Sequence, residues 1–193
     1  MPFTADLVLP PGTLSRNPQP VLPTGDGLIL RPWRDEDVPA LHEAFQDPLL
    51  HQWQLRRCDS KEEALSWIEG WRKDWEDERT AQWAVVDADA ERLLGRVALH
   101  SIALAEGLAK VGYWTTGAAR GQGVAARATT ALTRWALEEI GFHRLELLHA
   151  TDNPASCRVA VKAGFLLEGT KRSAAFHQDG WHDMHLHARV RGD

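Results

Sequence analysis

The residues that most directly suggest chemistry lie in one turn, Tyr113-Trp-Thr-Thr-Gly-Ala-Ala-Arg-Gly-Gln-Gly-Val-Ala125. A strand-like run enters a loop, and the loop opens a long helical pattern. Gly121 and Gly123 remove side chains where backbone N–H groups at a helix N-terminus point outward together. Those donors and the positive end of the helix dipole make a ready anion site, and Arg120 adds a fixed positive charge beside it. Two familiar phosphate loops fail on residues. A P-loop needs Gly-Lys-Ser/Thr, and no lysine follows Gly123. The dinucleotide fingerprint G-x-G-x-x-G is only half met, because Gly121-Gln-Gly123 runs on as Val124-Ala125-Ala126. The loop by itself leaves two readings, a phosphate-type anion site and a helix start whose glycines serve tight packing.

Histidine and cysteine invite a second chemistry. His177, His182, His185 and His187 crowd the C-terminal segment, and His185 with His187 would share one face of a strand. They have no cysteine partner in the sequence and no spacing of a familiar zinc site, so no metal is expected. Cys58 and Cys157 stand far apart in no metal or redox spacing, and read as reduced thiols of a cytoplasmic protein. The terminal Arg191-Gly-Asp193 has the form of an adhesion tripeptide, without meaning at the end of a cytosolic chain.

The elements that must position these residues follow from periodicity. Residues 1–24 carry six prolines and no sustained period, and read as an N-terminal arm, a tail or an extended segment laid over a domain of residues 25–193. Leu28–Trp33 is a short apolar strand, with Pro32 marking an edge or an end. Asp35 offers an N-cap for a helix carrying Val38, Leu41 and Phe45, with a stop at Asp47-Pro48. Ser60-Lys-Glu-Glu63 is a capping-box pattern before a helix to about Glu78, whose face is Ala64, Trp67, Ile68, Trp71 and Trp75. Trp53, Trp67, Trp71 and Trp75 fit a pocket wall and a core equally. Runs at 81–86, 93–102 and 110–115 read as an antiparallel meander. A helix over 121–140, a strand over 144–150, a short helix over 153–163 and strands over 165–169 and 181–190 complete an α+β domain.

With 193 residues, 44% hydrophobic and 25% charged, the chain can bury one sizeable core without disulfides. It lacks an apolar run near the ~20 residues of a membrane span, and a secretory leader pattern. Its 22 Lys/Arg against 27 Asp/Glu give a net charge of −5, which disfavours broad contact with a nucleic-acid backbone and suits a cationic acceptor. A monomer and a homodimer both remain open.

Arg120-Gly-Gln-Gly123-Val-Ala125 resembles the pattern Arg/Gln-x-x-Gly-x-Gly/Ala with which the GNAT acetyltransferases bind the pyrophosphate of coenzyme A. Later segments follow in that family's order. They are Gly141-Phe-His-Arg-Leu-Glu-Leu147, Thr151-Asp-Asn-Pro-Ala-Ser156, Lys162-Ala-Gly-Phe165 and Trp181-His-Asp183. The resemblance runs from about Leu28 to Val190 and is nearest to the RimJ/RimL branch, whose members acetylate protein N-terminal amines. It implies the GNAT fold, a mixed and mostly antiparallel sheet flanked by helices. It also implies acetyl-CoA or another acyl-CoA as co-substrate and an amine acceptor, a peptide N-terminus or a small molecule.

Acyl transfer from a thioester to an amine needs a base or water path for the amine proton, donors for the oxyanion and an acid for the leaving thiolate. By resemblance, backbone groups of Trp114, Thr115 and Thr116 would pair with the pantetheine arm. Arg120 and the amides of Gly121, Gln122, Gly123, Val124 and Ala125 would hold the pyrophosphate. Asn153 would contact the arm, and Ser156 would serve as acid beside the thiol. A tyrosine common in the family four residues before the last Gly-Phe is Ala160 here, and a glutamate found in some ribosomal-protein acetyltransferases is Ala175. His100, at the end of a strand flanking the acceptor pocket, is the proposed base, with His51 and Glu43 as weaker choices. A binding module that senses acyl-CoA without turnover, and an acetyltransferase for small-molecule amines, stand as alternatives.

Overall fold

A computed structural model describes residues 5–193. The first four residues of the proline-rich arm, Pro2 among them, lie outside the described part. Eight strands form one sheet: β1 Leu22–Pro23, β2 Leu28–Pro32, β3 Ala81–Asp87, β4 Leu93–Ala103, β5 Leu108–Thr115, β6 Arg144–Ala150, β7 Leu166–His177 and β8 Gly180–Val190. Their order is β1-β2-β3-β4-β5-β6-β8-β7. Every neighbouring pair is antiparallel except β5 and β6, which run parallel. Five α-helices accompany them: α1 Val38–Ala44, α2 Pro48–Trp53, α3 Lys61–Glu76, α4 Val124–Arg134 and α5 Pro154–Lys162. This is the expected mixed, mostly antiparallel α+β sheet with helices on its faces.

Two cores form, one on each side. The larger joins Leu30, Trp83, Val97, Leu99, Leu132, Trp135, Leu145, Leu147, Ala160 and Phe165, which is α4 and α5 laid on the sheet. The other face carries α1, α2 and α3 through Trp33, Leu41, Phe45, Leu50, Ile68 and Trp114. The alternation of β6, with Leu145, Leu147 and His149 buried, sends one set of side chains toward α5. Among the described residues no helix is long and apolar enough to cross a membrane.

Local chemistry explains most helix starts. Ser60 Oγ accepts from the Glu63 N–H at 3.1 Å and starts α3 as its capping pattern predicts, while Glu63 reaches one residue past the cap to the Asp59 N–H at 2.9 Å. Asp35 does not cap. It opens a short 3-10 turn (Asp35–Asp37) and pairs instead with Arg72 at 2.7 Å. Asp37 fixes that corner by accepting from the Arg34 N–H and from both Arg31 guanidinium arms. Asp47-Pro48 both ends one helix and starts another, because Pro at the first helical position has no N–H to satisfy and Asp47 caps the Leu49 N–H at 2.9 Å. The long helix begins at Val124, and its last segment, Trp135–Ile140, is wound as a π-helix before Gly141 in left-handed conformation.

The arm is docked along its described length. Val8 and Leu9 donate backbone hydrogen bonds to Ala105 and Leu104, and Leu9 and Leu14 are buried in the larger core. Trp75 and Trp83 donate indole N–H groups to the carbonyls of Asn17 and Pro20. The Glu78 carboxylate accepts from the backbone N–H groups of Gly12, Leu14 and Ser15.

Candidate active site

Parallel pairing of β5 and β6 runs from Leu108 opposite Arg144 to Val111 opposite Leu147, and then stops. Beyond it Gly112–Thr115 pairs only with β4, and Leu148–Ala150 only with β8. The sheet therefore splits into a V, leaving one backbone edge of β5 free of ladder bonds. A cleft of about 570 Å³ occupies this split, lined by Gly112, Tyr113, Trp114 and Thr115 on one side and Leu148, His149 and Ala150 on the other. An unpaired strand edge is a place where an extended, amide-bearing chain can add as a further strand.

The cleft ends at the glycine turn. Gly121, Gly123, Val124 and Ala125 all line it, and Gly123 is the residue before α4. Gly121 and Gly123 have φ of +76° and +75°, which an L side chain adopts at a cost. A Cβ at either position would meet nothing within 4 Å, so the space over the amides is open. Arg120 lines the same end and is paired with Asp47 at 2.6 Å. Burial would raise the Asp47 carboxyl, but the Leu49 N–H and Arg120 outweigh it and hold it below the usual carboxylate range. Asp47 thus orients Arg120 and offsets part of its charge.

The first turn of α5 forms the opposite wall. Asn153 Oδ1 accepts from the Ser156 N–H at 3.0 Å, capping the helix, and both residues line the cleft. Tyr113 reaches across from β5, its hydroxyl donating to the Ser156 carbonyl at 3.4 Å. Burial pushes the Tyr113 phenol up to about 12, so it stays protonated at neutral pH. One corner therefore holds two hydroxyl groups, that of Ser156 and that of Tyr113.

His100 lines the cleft from β4 and lies over Gly112, where an added Cβ would come within 3.4 Å of the imidazole. Burial, then the charges of Arg96 and Lys110, push His100 down to about 4. The ring is therefore neutral in the ordinary pH range, with Nδ1 3.2 Å from the Ser101 hydroxyl oxygen. A proton taken there cannot rest for long, so His100 is suited to relay rather than store it. Beyond it stand Leu49, Leu50, Trp53 and His177, with Trp53 packed edge-on against His177 at 5.7 Å between ring centres.

Of the residues singled out by sequence, Trp114, Thr115, Arg120, Gly121, Gly123, Val124, Ala125, Asn153, Ser156 and His100 converge on one cleft. Thr116 and Gln122 do not line it. The Thr116 N–H is bonded to the Leu94 carbonyl, and Gln122 folds back onto the Ala118 carbonyl and borders a neighbouring depression. His51 and Glu43 also lie outside the lining; His51 Nε2 is engaged with the Phe45 carbonyl at 2.6 Å. Of the four tryptophans, Trp53 lines the cleft, while Trp67 and Trp71 pack against one core and Trp75 lies within the other. Sequence reasoning singled out His177 only among the C-terminal histidines, and missed His149, Leu49 and Leu50. The Asp47-Pro48 signal, read as a helix start, would have pointed to the last two.

Comparison with known proteins bears on this cleft. Residues 27–166 match the model of the acetyltransferase (GNAT) domain. An uncharacterized N-acetyltransferase of Bacillus subtilis, YoaA, is 27% identical over 173 residues, covering 89% of this chain and 97% of that protein. The ribosomal-protein-serine acetyltransferase of Escherichia coli is 32% identical over 100 residues, covering 52% of this chain and 56% of that protein. Among solved structures, RimL, a ribosomal alpha-N-protein acetyltransferase in complex with coenzyme A, superposes with a TM-score of 0.80 at 24% identity. That match covers 89% of this chain and 98% of RimL.

Proposed function

The chain belongs to the GNAT acetyltransferase domain family, and on that premise we propose that it acetylates the N-terminal amine of a protein, using acetyl-CoA held in the split between β5 and β6. The observation that carries the reading is the cleft itself, a free strand edge that ends at two left-handed glycines before a helix N-terminus. The pantetheine arm would add to Gly112–Thr115 as an extra strand. The pyrophosphate would sit on the amides of Gly121–Ala125, where dipole and Arg120 favour negative charge.

The remaining residues supply proton handling. Attack of the neutral amine on the thioester carbonyl forms the C–N bond and breaks the C–S bond. The amine proton leaves through water to His100, whose imidazole burial and two cations keep unprotonated. The thiolate collects a proton through the Ser156 hydroxyl, so the proton lost by the amine balances the one gained by the thiol. Trp53, His177, Leu49 and Leu50 would flank the acceptor. A protein acceptor is supported by the ribosomal-protein acetyltransferases among the relatives. The free thiols of Cys58 and Cys157 fit a cytoplasmic enzyme.

The test is to incubate the protein with acetyl-CoA and peptides of varied first residue, and to follow thiol release and peptide mass. Mass gain confined to the α-amine supports the reading. Gain on lysine, or on free polyamines only, removes the N-terminal assignment. Tight acyl-CoA binding without turnover on any amine would leave a sensor.

A further inference from the structure

Three groups outside the proposed reaction meet beneath α5. His149 of β6, His187 of β8 and Cys157 of α5 each offer a ligand atom, and these atoms lie within 4.8 Å of one another. The sequence draws notice to His187 and Cys157 separately but expects no metal, because the three partners come from three elements. Leu147 is opposite His187 and His149 opposite His185, so both buried imidazoles leave the sheet on the face that α5 covers. Cys157 sits one residue into that helix from Ser156.

We propose that His149, His187 and Cys157 form a binding site for a divalent cation of the zinc type. The geometry between the imidazoles already suits one. Zn–N bonds of about 2.0–2.1 Å at a tetrahedral angle place two nitrogens about 3.3–3.4 Å apart. His149 Nε2 and His187 Nε2 are 3.2 Å apart. A shift on the order of an ångström in Cys157 brings its sulfur to bonding range of the same point.

Tautomer chemistry supports the same assignment. His149 Nδ1–H donates to the Ala150 carbonyl at 2.8 Å, which leaves the Nε2 lone pair aimed at the cluster. An Nδ1–H bonded to a backbone carbonyl is the usual support of a metal-ligating histidine. His187 Nδ1 is buried with no hydrogen-bond partner. With a cation on Nε2, His187 would carry its ring proton on Nδ1. Burial also disfavours the charged form of both imidazoles, which keeps them neutral as a metal requires.

The ligand set selects the ion. One thiolate and two imidazoles suit Zn²⁺ and its softer neighbours, and exclude Mg²⁺ and Ca²⁺, which take oxygen. Cys157 must lose its thiol proton as the cation takes its place, so one proton is released per ion bound and affinity rises with pH. Because His149 lines the cleft and Cys157 follows Ser156, a bound ion would pin the first turn of α5 against β6 and β8.

The experiment titrates the whole, chelator-stripped protein with Zn²⁺ against a chromogenic chelator, and separately with Co²⁺ while recording its absorption spectrum. One equivalent is expected to bind, and Co²⁺ to show a thiolate charge-transfer band with intense tetrahedral d–d bands. Cys157→Ser should abolish the charge-transfer band, and both it and His187→Gln should weaken Zn²⁺ by more than the about 10- to 100-fold that loss of a supporting outer partner costs. Cys157 is only partly buried, so Cys157→Ser is the variant expected to keep the metal-free melting temperature. Cys58 lies in the other core, and Cys58→Ser should keep the band. Absence of a charge-transfer band in the parent protein, or Zn²⁺ affinity unchanged in Cys157→Ser, would overturn the site.

Discussion

Replacing Gly123 by alanine separates the two demands placed on that residue. At φ +75° an L side chain costs roughly 1–2 kcal/mol of backbone strain. For a chain of this size that lowers the melting temperature by roughly 2–8 °C. No atom lies within 4 Å of the added Cβ, so the free protein suffers strain and no clash. With acyl-CoA bound, that open space is where the pyrophosphate would lie, and the methyl would push it off the amides. Losing one charge-assisted hydrogen bond costs about 1.5–3 kcal/mol, or roughly 10- to 150-fold in affinity. Gly141 provides the control. Its φ is +98°, a Cβ there meets only ordinary contacts at 3.6–3.7 Å, and it lies outside the cleft lining. Calorimetric titration with coenzyme A and thermal melts of Gly123→Ala and Gly141→Ala should therefore show similar destabilisation and very different affinity. Equal coenzyme A affinity in the two variants would refute the placement of the phosphates.

Other outcomes follow from the same geometry. Ser156→Ala should lower kcat about 10²-fold or more with a smaller change in KM for acetyl-CoA, measured by thiol release, whereas Tyr113→Phe should have a lesser effect. His100 is held down to about 4, so the folded state resists its protonation, and its contribution to stability is complete above about 6.5. That contribution declines as pH falls from about 6.5 toward 4, and the decline should be shallower in His100→Gln by thermal melts across that range. Glu78→Ala removes the acceptor for three arm N–H groups and should destabilise by about 2 kcal/mol, with faster proteolytic nicking of residues 5–20. An unchanged melting temperature and cutting pattern would show that the arm is held by its leucines alone.

Signals confined to a few neighbouring residues were readable from sequence. The Ser60 cap and the glycines before α4 each act within a turn, so residue type and spacing were enough. What sequence hid depends on partners far along the chain. The split between β5 and β6 exists because pairing stops after Val111 and Leu147, which neither strand announces alone. The strand expected over 165–169 is β7, Leu166–His177, an edge strand exposed along most of its length. It has no buried face to print an alternation of apolar residues. Asp35 looked like a cap and became an ion-pair partner of Arg72, since Asp37 and Arg31 set the corner first. The cluster of His149, Cys157 and His187 is the same case, three residues without ligand spacing that only the packing of α5 on the sheet unites.

Hydrogen exchange of the whole protein with and without coenzyme A tests the central claim most directly. Binding in the split predicts slowed exchange at the amides of Gly112–Thr115 and Gly121–Ala125, together, with β4 and α3 unchanged. Slowing confined to the neighbouring depression at Thr24, Arg127 and Arg134, or none at saturating coenzyme A, would contradict it.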